Sequence, residues 1–300
     1  MISTPKCDLE TWEYLTEGKY CWIFHDRDEN NLCFKLYKNE SVPRGIGIHN
    51  PVEAYVHSRV FHENLTPRKY SSSLPVKSIP LKKNPLGVQS RSYRYPLMMS
   101  KEICDLEKYL NDNPPSQVFL INERLSIFLQ ICRGIDYLHS FSIIHGDIKP
   151  LNIMISQKDP VRIKVTDFGF SIMLFERNYI DYGSYFGTKT YLWPKSFQNI
   201  FSYQTDFWAI GCLLYYLICD ELPYQSGIES QCDYPGRFQG KSAQKLSKII
   251  SELKKTYPEQ ESSLEKLEQS YWILMSGDEY SRDSIHSVLQ LFNEEGYQKI

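Results

Sequence analysis

His145-Gly-Asp-Ile-Lys-Pro-Leu-Asn152 is the stretch that decides the fold, together with Asp167-Phe-Gly169, which begins twenty residues after Asp147. The run 161–166, VRIKVT, immediately precedes the second motif and has the β-branched composition of a buried strand. Either motif alone is a modest signal. The two together, in this order, are specific enough to guide the interpretation of the rest of the chain.

The sequence around these motifs predicts helices. The segment 122–139 places Leu125, Phe128, Cys132 and Leu138 at helical spacing. The run 207–219, FWAIGCLLYYLIC, carries no charge, but its thirteen residues are fewer than a membrane span requires. It therefore predicts a helix buried inside protein. Amphipathic patterns over 241–256 and 281–292 predict two more helices.

The first third of the chain predicts strands. Residues 20–24 and 32–37 are β-prone runs around a polar turn, which is typical of a hairpin, and 51–61 has helical spacing. Short strands are also expected near 74–79 and 94–98. Because strands dominate the front and helices the back, the sequence predicts an α+β fold with two lobes.

Composition narrows the class of protein. The 300 residues are 42% hydrophobic and 23% charged, with a net charge of -2. These values exclude a disordered, collagen-like or coiled-coil chain and give no electrostatic reason to expect nucleic-acid binding. The sequence shows no signal peptide, membrane span or lipidation motif, so we expect a cytoplasmic protein.

The two opening motifs match the protein-kinase signatures H-R-D-L-x-x-x-N and D-F-G. The stretches 187–195 and 206–211, GTKTYLWPK and DFWAIG, fit G-T-x-x-Y-x-A-P-E and D-x-W-S-x-G of the same family. The chain resembles a eukaryotic-type protein kinase over essentially its whole length. The resemblance implies one kinase domain over 1–300, with an N-lobe to residue 100, a C-lobe from 101 and an activation segment at about 167–195.

By this resemblance, Asp147 would accept the proton of a substrate hydroxyl, and Lys149 would contact the transferred phosphate. A lysine at that position is typical of serine/threonine kinases. Asn152 and Asp167 would hold Mg²⁺, which prefers oxygen ligands. In the activation segment, Phe168 and Gly169 complete the D-F-G motif and Thr188 would help to form the substrate pocket.

The resemblance extends to the ATP site of the N-lobe. Lys35, in LCFK, would bind the α- and β-phosphates and pair with Glu53, 18 residues later in the predicted helix. An ordinary surface Lys and Glu is the alternative. Met99 would be the gatekeeper beside the hinge, or else a core methionine. The glycine-rich loop would use Leu15, Gly18 and Ile23, although a plain hairpin is also compatible with this stretch.

Four positions depart from the family pattern. Thr16 and Cys21 replace two loop glycines, which would reshape the phosphate cradle. Gly146 replaces the arginine that often grips a phosphorylated activation loop, so we expect activity independent of such phosphorylation. Lys195 replaces the glutamate that would pair with Arg282, so Arg282 is expected to be solvated or to find another acid.

Two further interpretations remain open. The segment 66–94 is basic and without acidic residues, and it is interpreted as a docking site for a partner or as a solvated loop. The function is predicted to be phosphate transfer from ATP to a protein serine or threonine. A pseudokinase that binds nucleotide or acts as a scaffold is the alternative, and a small-molecule phosphotransferase is less favoured.

Overall fold

The computed structural model describes residues 12–17, 21–27, 32–37, 51–66, 68–71, 97–113, 119–223, 236–276 and 283–293. The strands lie mainly before residue 100 and the helices mainly after it. This arrangement confirms the predicted two-lobed α+β architecture. The division into lobes at about residue 100 stays a prediction.

A five-stranded antiparallel sheet forms the N-terminal part, in the order β1-β2-β3-β5-β4. Its second strand alternates, with Trp22 and Phe24 buried and Cys21, Ile23 and His25 partly exposed. This alternation gives the sheet one face on the core and one face toward the cleft. The strands are β1 Trp12–Glu17, β2 Cys21–Asp26, β3 Leu32–Tyr37, β4 Arg68–Ser71 and β5 Leu97–Ser100.

Helix α1, Pro51–Arg59, packs next to this sheet. Pro51 occupies the first helical position, where its missing N–H costs nothing, and Glu53 in the first turn favours the helix dipole. The spacing of Val52, Tyr55, Val56 and Val60 predicts that these residues share one face of the helix. Val56 and Val60 are buried, as is Glu53, whereas Tyr55 is 38% exposed and so lies outside that buried face.

The C-terminal part is built around a buried helix. Helix α4, Tyr203–Cys219, begins after Ser202, whose side chain and Thr205 form a capping box, and it is buried along nearly its whole length. The helices Phe119–Ser140, Gly236–Thr256 and Glu261–Ser276 pack against it, and the last of these was not predicted from the sequence. In chain order the helices are α2 Leu106–Asp112, α3 Phe119–Ser140, α4 Tyr203–Cys219, α5 Gly236–Thr256, α6 Glu261–Ser276 and α7 Asp283–Asn293.

Short strands carry the loops that bear the opening motifs. Cys104–Asp105 (β6), Ile153–Lys158 (β8) and Val161–Val165 (β9) form one small sheet. Ile143–Ile144 (β7) pairs with Ile172–Met173 (β10). The first motif begins directly after β7 and the second ends shortly before β10, so this pairing brings the start of one close to the end of the other. Tyr179–Asp181 (β11) pairs with Ile200–Ser202 (β12) in the same way.

Most of the predicted elements are confirmed with shifted ends. The hairpin forms from β2 and β3, and the predicted strand near 94–98 instead spans Leu97–Ser100, with 94–96 outside the described residues. The strand expected near 74–79 also lies outside them. Within the described ranges, no helix combines the length and the apolar character needed to cross a bilayer.

The two parts of the chain are joined by buried hydrogen bonds. Thr66 N donates to Val165 O at 2.9 Å, and Val165 N donates to Asn64 O at 2.8 Å. The Asn64 side chain donates to Gln130 Oε1 at 3.1 Å, which also accepts from Ile163 N at 3.0 Å. Gln130 therefore connects the segment after α1 to α3 and β9.

Replacing Gln130 by Ala should lower the free energy of unfolding by about 3 kcal/mol, because buried partners lose their hydrogen bonds. The matched control is Gln157→Ala, since Gln157 is exposed and bonds only Asp159 O among the described residues. That variant should differ from wild type by less than about 0.5 kcal/mol. Urea denaturation measures both, and equal values for the two variants would contradict the assignment.

Candidate active site

Asp206 fixes the backbone of the first motif. Its carboxylate is completely buried on α4 and accepts hydrogen bonds from His145 N at 2.7 Å and Gly146 N at 2.9 Å. His139 Nε2 lies 2.8 Å from the same carboxylate. Burial would raise the pKa of Asp206, but the hydrogen bonds and the nearby histidines outweigh it and lower the pKa.

Three side chains, those of Lys149, Asn152 and Thr188, form hydrogen bonds with Asp147. Thr188 Oγ1 donates to Asp147 Oδ1 at 2.7 Å, and Lys149 Nζ donates to Asp147 Oδ2 at 2.7 Å. Lys149 also donates to Thr188 Oγ1 at 2.7 Å. Asn152 Nδ2 donates to the backbone carbonyl of Asp147 at 2.7 Å and to its Oδ2 at 3.1 Å. Both carboxylate oxygens therefore have a fixed direction.

Lys35 joins the two lobes through its ammonium group. Its Nζ lies 3.0 Å from Glu53 Oε1 and 2.5 Å from Asp167 Oδ1. Burial opposes the charge on Lys35, but the two carboxylates outweigh burial and raise its pKa. Lys35 in turn lowers the pKa of Asp167 against the effect of burial. Burial raises the pKa of Glu53 although Lys35 opposes that rise. The site therefore holds a charged lysine between Glu53 and Asp167.

Asp167 and Phe168 point in opposite directions from one tight turn. Asp167 has a left-handed backbone with φ of 65°, an uncommon conformation for a residue other than glycine. Phe168 is fully buried, with its ring 5.5 Å from that of His57 and 5.2 Å from that of His145. The buried ring of Phe168 therefore contacts both helix α1 and the loop 145–152, while the Asp167 carboxylate reaches Lys35.

Gly146 occupies a place where a larger residue does not fit. Its φ is +81°, and a Cβ there would lie 2.6 Å from Phe170 O. Gly187 has φ +97°, and its Cβ would lie 2.9 Å from Gly146 O. Both positions need glycine, because positive φ and such close backbone contacts exclude a side chain. The departure seen in the sequence at Gly146 thus has a steric reason.

The residues predicted for the nucleotide loop and gatekeeper are only partly brought to the site. Ile23 pairs with Lys35, and Met99 pairs with Cys33. Opposed residues of antiparallel strands share a sheet face, so Ile23 and Met99 lie on the face that carries Lys35. Leu15 is 45% exposed at an irregularity of β1, and Gly18 lies outside the described residues.

The side chains of Asn152 and Asp167 fit a magnesium ion. Asn152 uses its amide nitrogen to bind Asp147, which leaves its amide oxygen as a ligand, and Asp167 adds a carboxylate. Oxygen ligands supplemented by phosphate are the set that Mg²⁺ uses in phosphoryl transfer. Among the described residues, no three His, Cys, Asp or Glu side chains form a metal-binding group by themselves.

Comparison with known proteins decides the family. The family model described as protein kinase domain matches residues 18–291. The chain belongs to the protein kinase domain family. This membership accounts for the order of the motifs and agrees with the strand-rich and helical parts of the kinase fold described above.

Several relatives of this kinase domain are serine/threonine kinases. Serine/threonine-protein kinase PLK4 of Drosophila virilis is 26% identical over 90% of this chain and 33% of its own length. MAP kinase-activated protein kinase 2 of Homo sapiens is 28% identical over 53% of this chain and 43% of its own length. Probable serine/threonine-protein kinase PknB of Lactococcus lactis is 33% identical over 44% of this chain and 21% of its own length. The chain spans less than half of each relative.

Two histidines that pack at the site of this kinase domain are not marked by any motif in the sequence. The helical pattern places His139 at the end of a predicted helix, and no pattern singles out His57. The fixed spacing between His57 and Glu53, one helical turn apart, was the available signal. Lys195 lies over the Trp193 ring, with Nζ 6.0 Å from its centroid. Arg282 lies outside the described residues.

Asp206→Asn should disorder the catalytic loop of this kinase domain, residues 145–152. The amide nitrogen of the new side chain would face the backbone N–H donors of His145 and Gly146. The expected loss is about 3 kcal/mol in the free energy of unfolding, in the range for breaking a buried charged network. Thermal unfolding measures it, with the exposed Asp112→Asn as control, whose Oδ2 is 3.2 Å from the Lys108 ammonium. A wild-type melting curve for Asp206→Asn would refute the anchoring role.

The stability of this kinase domain should fall in acid partly through His57. Burial and the charge of Lys35 lower its pKa to about 4 from 6.5, and Nδ1 has no hydrogen-bond partner among the described residues. Between these values the unfolded chain binds a proton that the folded chain does not, so stability decreases as pH falls.

The measurement is the free energy of unfolding from pH 7 to pH 4.5. Wild type should lose about 2 kcal/mol more than His57→Leu over this interval. His286→Leu, at an exposed position on α7, should keep the wild-type slope. An unchanged slope in His57→Leu would show that another group controls the acid response.

Proposed function

We propose that the chain transfers the γ-phosphate of ATP to a serine or threonine hydroxyl of a protein, with Asp147 as the catalytic base. The observation that carries the proposal is the Asp147 carboxylate, which already accepts a hydroxyl hydrogen bond from Thr188 at 2.7 Å. A substrate hydroxyl bound beside it would present its proton to the same group. Asp147 would thus orient the nucleophile and accept its proton.

Lys149 supports the assignment to serine/threonine transfer. Its ammonium bridges Asp147 and Thr188, each at 2.7 Å, so it lies between the base and the activation segment. A cation at this point would stabilise the negative charge on the transferring phosphoryl group. Thr188 would define the wall of the pocket that receives the acceptor residue.

The opposite side of the cleft would hold the nucleotide. Lys35, kept in place by Glu53, would bind the α- and β-phosphates. Asn152 and Asp167 would hold Mg²⁺, which neutralises phosphate charge when it is bound. Ile23 and Met99 lie on the sheet face of Lys35 and would contact the adenine ring of ATP. Leu15 and Gly18 would close over its ribose and phosphates.

Three parts of the proposal concern the surroundings of the site. The partner would be a protein substrate, and the basic segment 66–94 would dock it. Only Thr66 and 68–71 of that segment are among the described residues, so the support for docking is its charge. A cytoplasmic location would supply the ATP.

The test is phosphate transfer from labelled ATP and Mg²⁺ to a basic protein, followed by phosphoamino-acid analysis. Asp147→Asn should lower the rate by at least about 100-fold, the usual contribution of a general base. Asp112→Asn, on the exposed side of α2, should keep wild-type activity. Label on tyrosine alone would overturn the serine/threonine assignment.

The pseudokinase alternative gives a different result in the same experiment. It requires that neither wild type nor Asp147→Asn transfers phosphate, although the wild type still folds. A higher melting temperature in Mg²⁺-ATP would then indicate a nucleotide-binding regulator. The buried Lys35–Glu53 pair and the oriented Asp147 favour the enzyme, because a scaffold does not need either arrangement.

A further inference from the structure

Three phenylalanines stack between the activation segment and the strand β12 that follows it. The rings of Phe170 and Phe186 are 5.5 Å apart with planes at 10°, and those of Phe186 and Phe201 are 4.2 Å apart with planes at 4°. The ring of Tyr182 meets Phe186 edge-on at 5.1 Å. Phe201 is fully buried and Phe186 is 8% exposed. We call Phe170, Phe186 and Phe201 the aromatic stack.

The aromatic stack joins three separate parts of the chain. Phe170 follows the turn that holds Asp167, and Phe186 belongs to the activation segment. Phe201 lies on β12, which pairs with β11 of the same segment. Tyr182 N also donates to Asn199 O at 3.0 Å. Ring stacking and strand pairing therefore hold the middle of the activation segment against the body of the protein.

The stack occupies the space beside Gly146. A Cβ at this position would meet Phe170 O at 2.6 Å and Phe186 Cε2 at 3.6 Å. The resemblance implied an arginine here that binds a phosphorylated residue. Phe186 and the backbone of Phe170 instead fill the direction that a side chain at Gly146 would take.

The position of Phe186 links the stack to catalysis. The next two residues are Gly187, which packs on Gly146 O, and Thr188, which donates to Asp147. A shift of Phe186 would move Thr188 through two peptide units. Displacements of about 1 Å near reacting groups can cost about 100-fold in rate.

We propose that Phe186 is a positioning residue, which holds Thr188 against Asp147 through the aromatic stack while the activation segment is unphosphorylated. The inference rests on the proposed phosphate transfer. The exposed tyrosines Tyr179 and Tyr185 are not members of the stack. We expect turnover without phosphorylation of the segment, because the stack itself would hold Thr188 against Asp147.

The experiment compares Phe186→Ala and Phe186→Leu with Phe175→Ala. Phe175 lies in the same segment but is 70% exposed, which makes it a matched control. Both Phe186 variants should lose at least about tenfold in kcat for a protein substrate, because neither retains a ring to stack. The KM for ATP and the melting shift produced by Mg²⁺-ATP should stay at wild-type values. Phosphatase-treated wild type should retain its activity.

Limited trypsin digestion supplies a readout that does not need activity. Arg177 and Lys189 flank the stacked part of the segment, and cleavage there should be at least about tenfold faster in the Phe186 variants than in Phe175→Ala. If Phe186→Ala does not fold, Phe186→Leu carries the comparison, since it keeps most of the apolar volume.

Several results would overturn the role of Phe186. These are wild-type kcat in Phe186→Leu, an equal loss of ATP binding and turnover, or activity that disappears on phosphatase treatment. A wild type that transfers no phosphate would refute the proposed function instead. In that case cleavage rates alone decide whether the stack orders the segment, and equal rates in the Phe186 and Phe175 variants would refute it.

Discussion

The rest of the site depends on one buried carboxylate. Asp206 accepts hydrogen bonds from two consecutive backbone N–H groups, those of His145 and Gly146, and lies beside His139. An unpaired charge at this depth would cost several kcal/mol, so the loop and the helix stabilise each other only in this register. The direction of Asp147 follows from that backbone, because it is the next residue along the chain.

Ionic contacts and ring packing hold different parts of the site together near Asp206. Lys35, Glu53 and Asp167 form a buried ionic link between the sheet, α1 and the loop before the activation segment. Phe168 makes the matching apolar link on the other side of its turn. The ionic link would serve the phosphates, whereas the rings set the distance between α1 and the catalytic loop. His57 is a polar residue in that apolar contact, and burial lowers the pKa of its imidazole.

The activation segment combines glycine and aromatic residues for one purpose. Gly146 and Gly187 let two backbones approach closely, and Phe186 lies beside Gly146, where a side chain would otherwise extend. The pairing of β11 with β12 closes the arrangement from the outer side.

The sequence by itself determined the architecture, the family resemblance and the residues Lys35, Glu53, Asp147, Asn152 and Asp167, because each belongs to a short motif with fixed spacing. It missed α6 and the places of His57 and His139, and it placed Tyr55 on the wrong side of α1. Only the tertiary structure decided why Gly146 is a glycine and how Phe186 meets Phe170 and Phe201. The two ring contacts join residues 16 and 15 positions apart, and local patterns carry no information about which distant rings will stack.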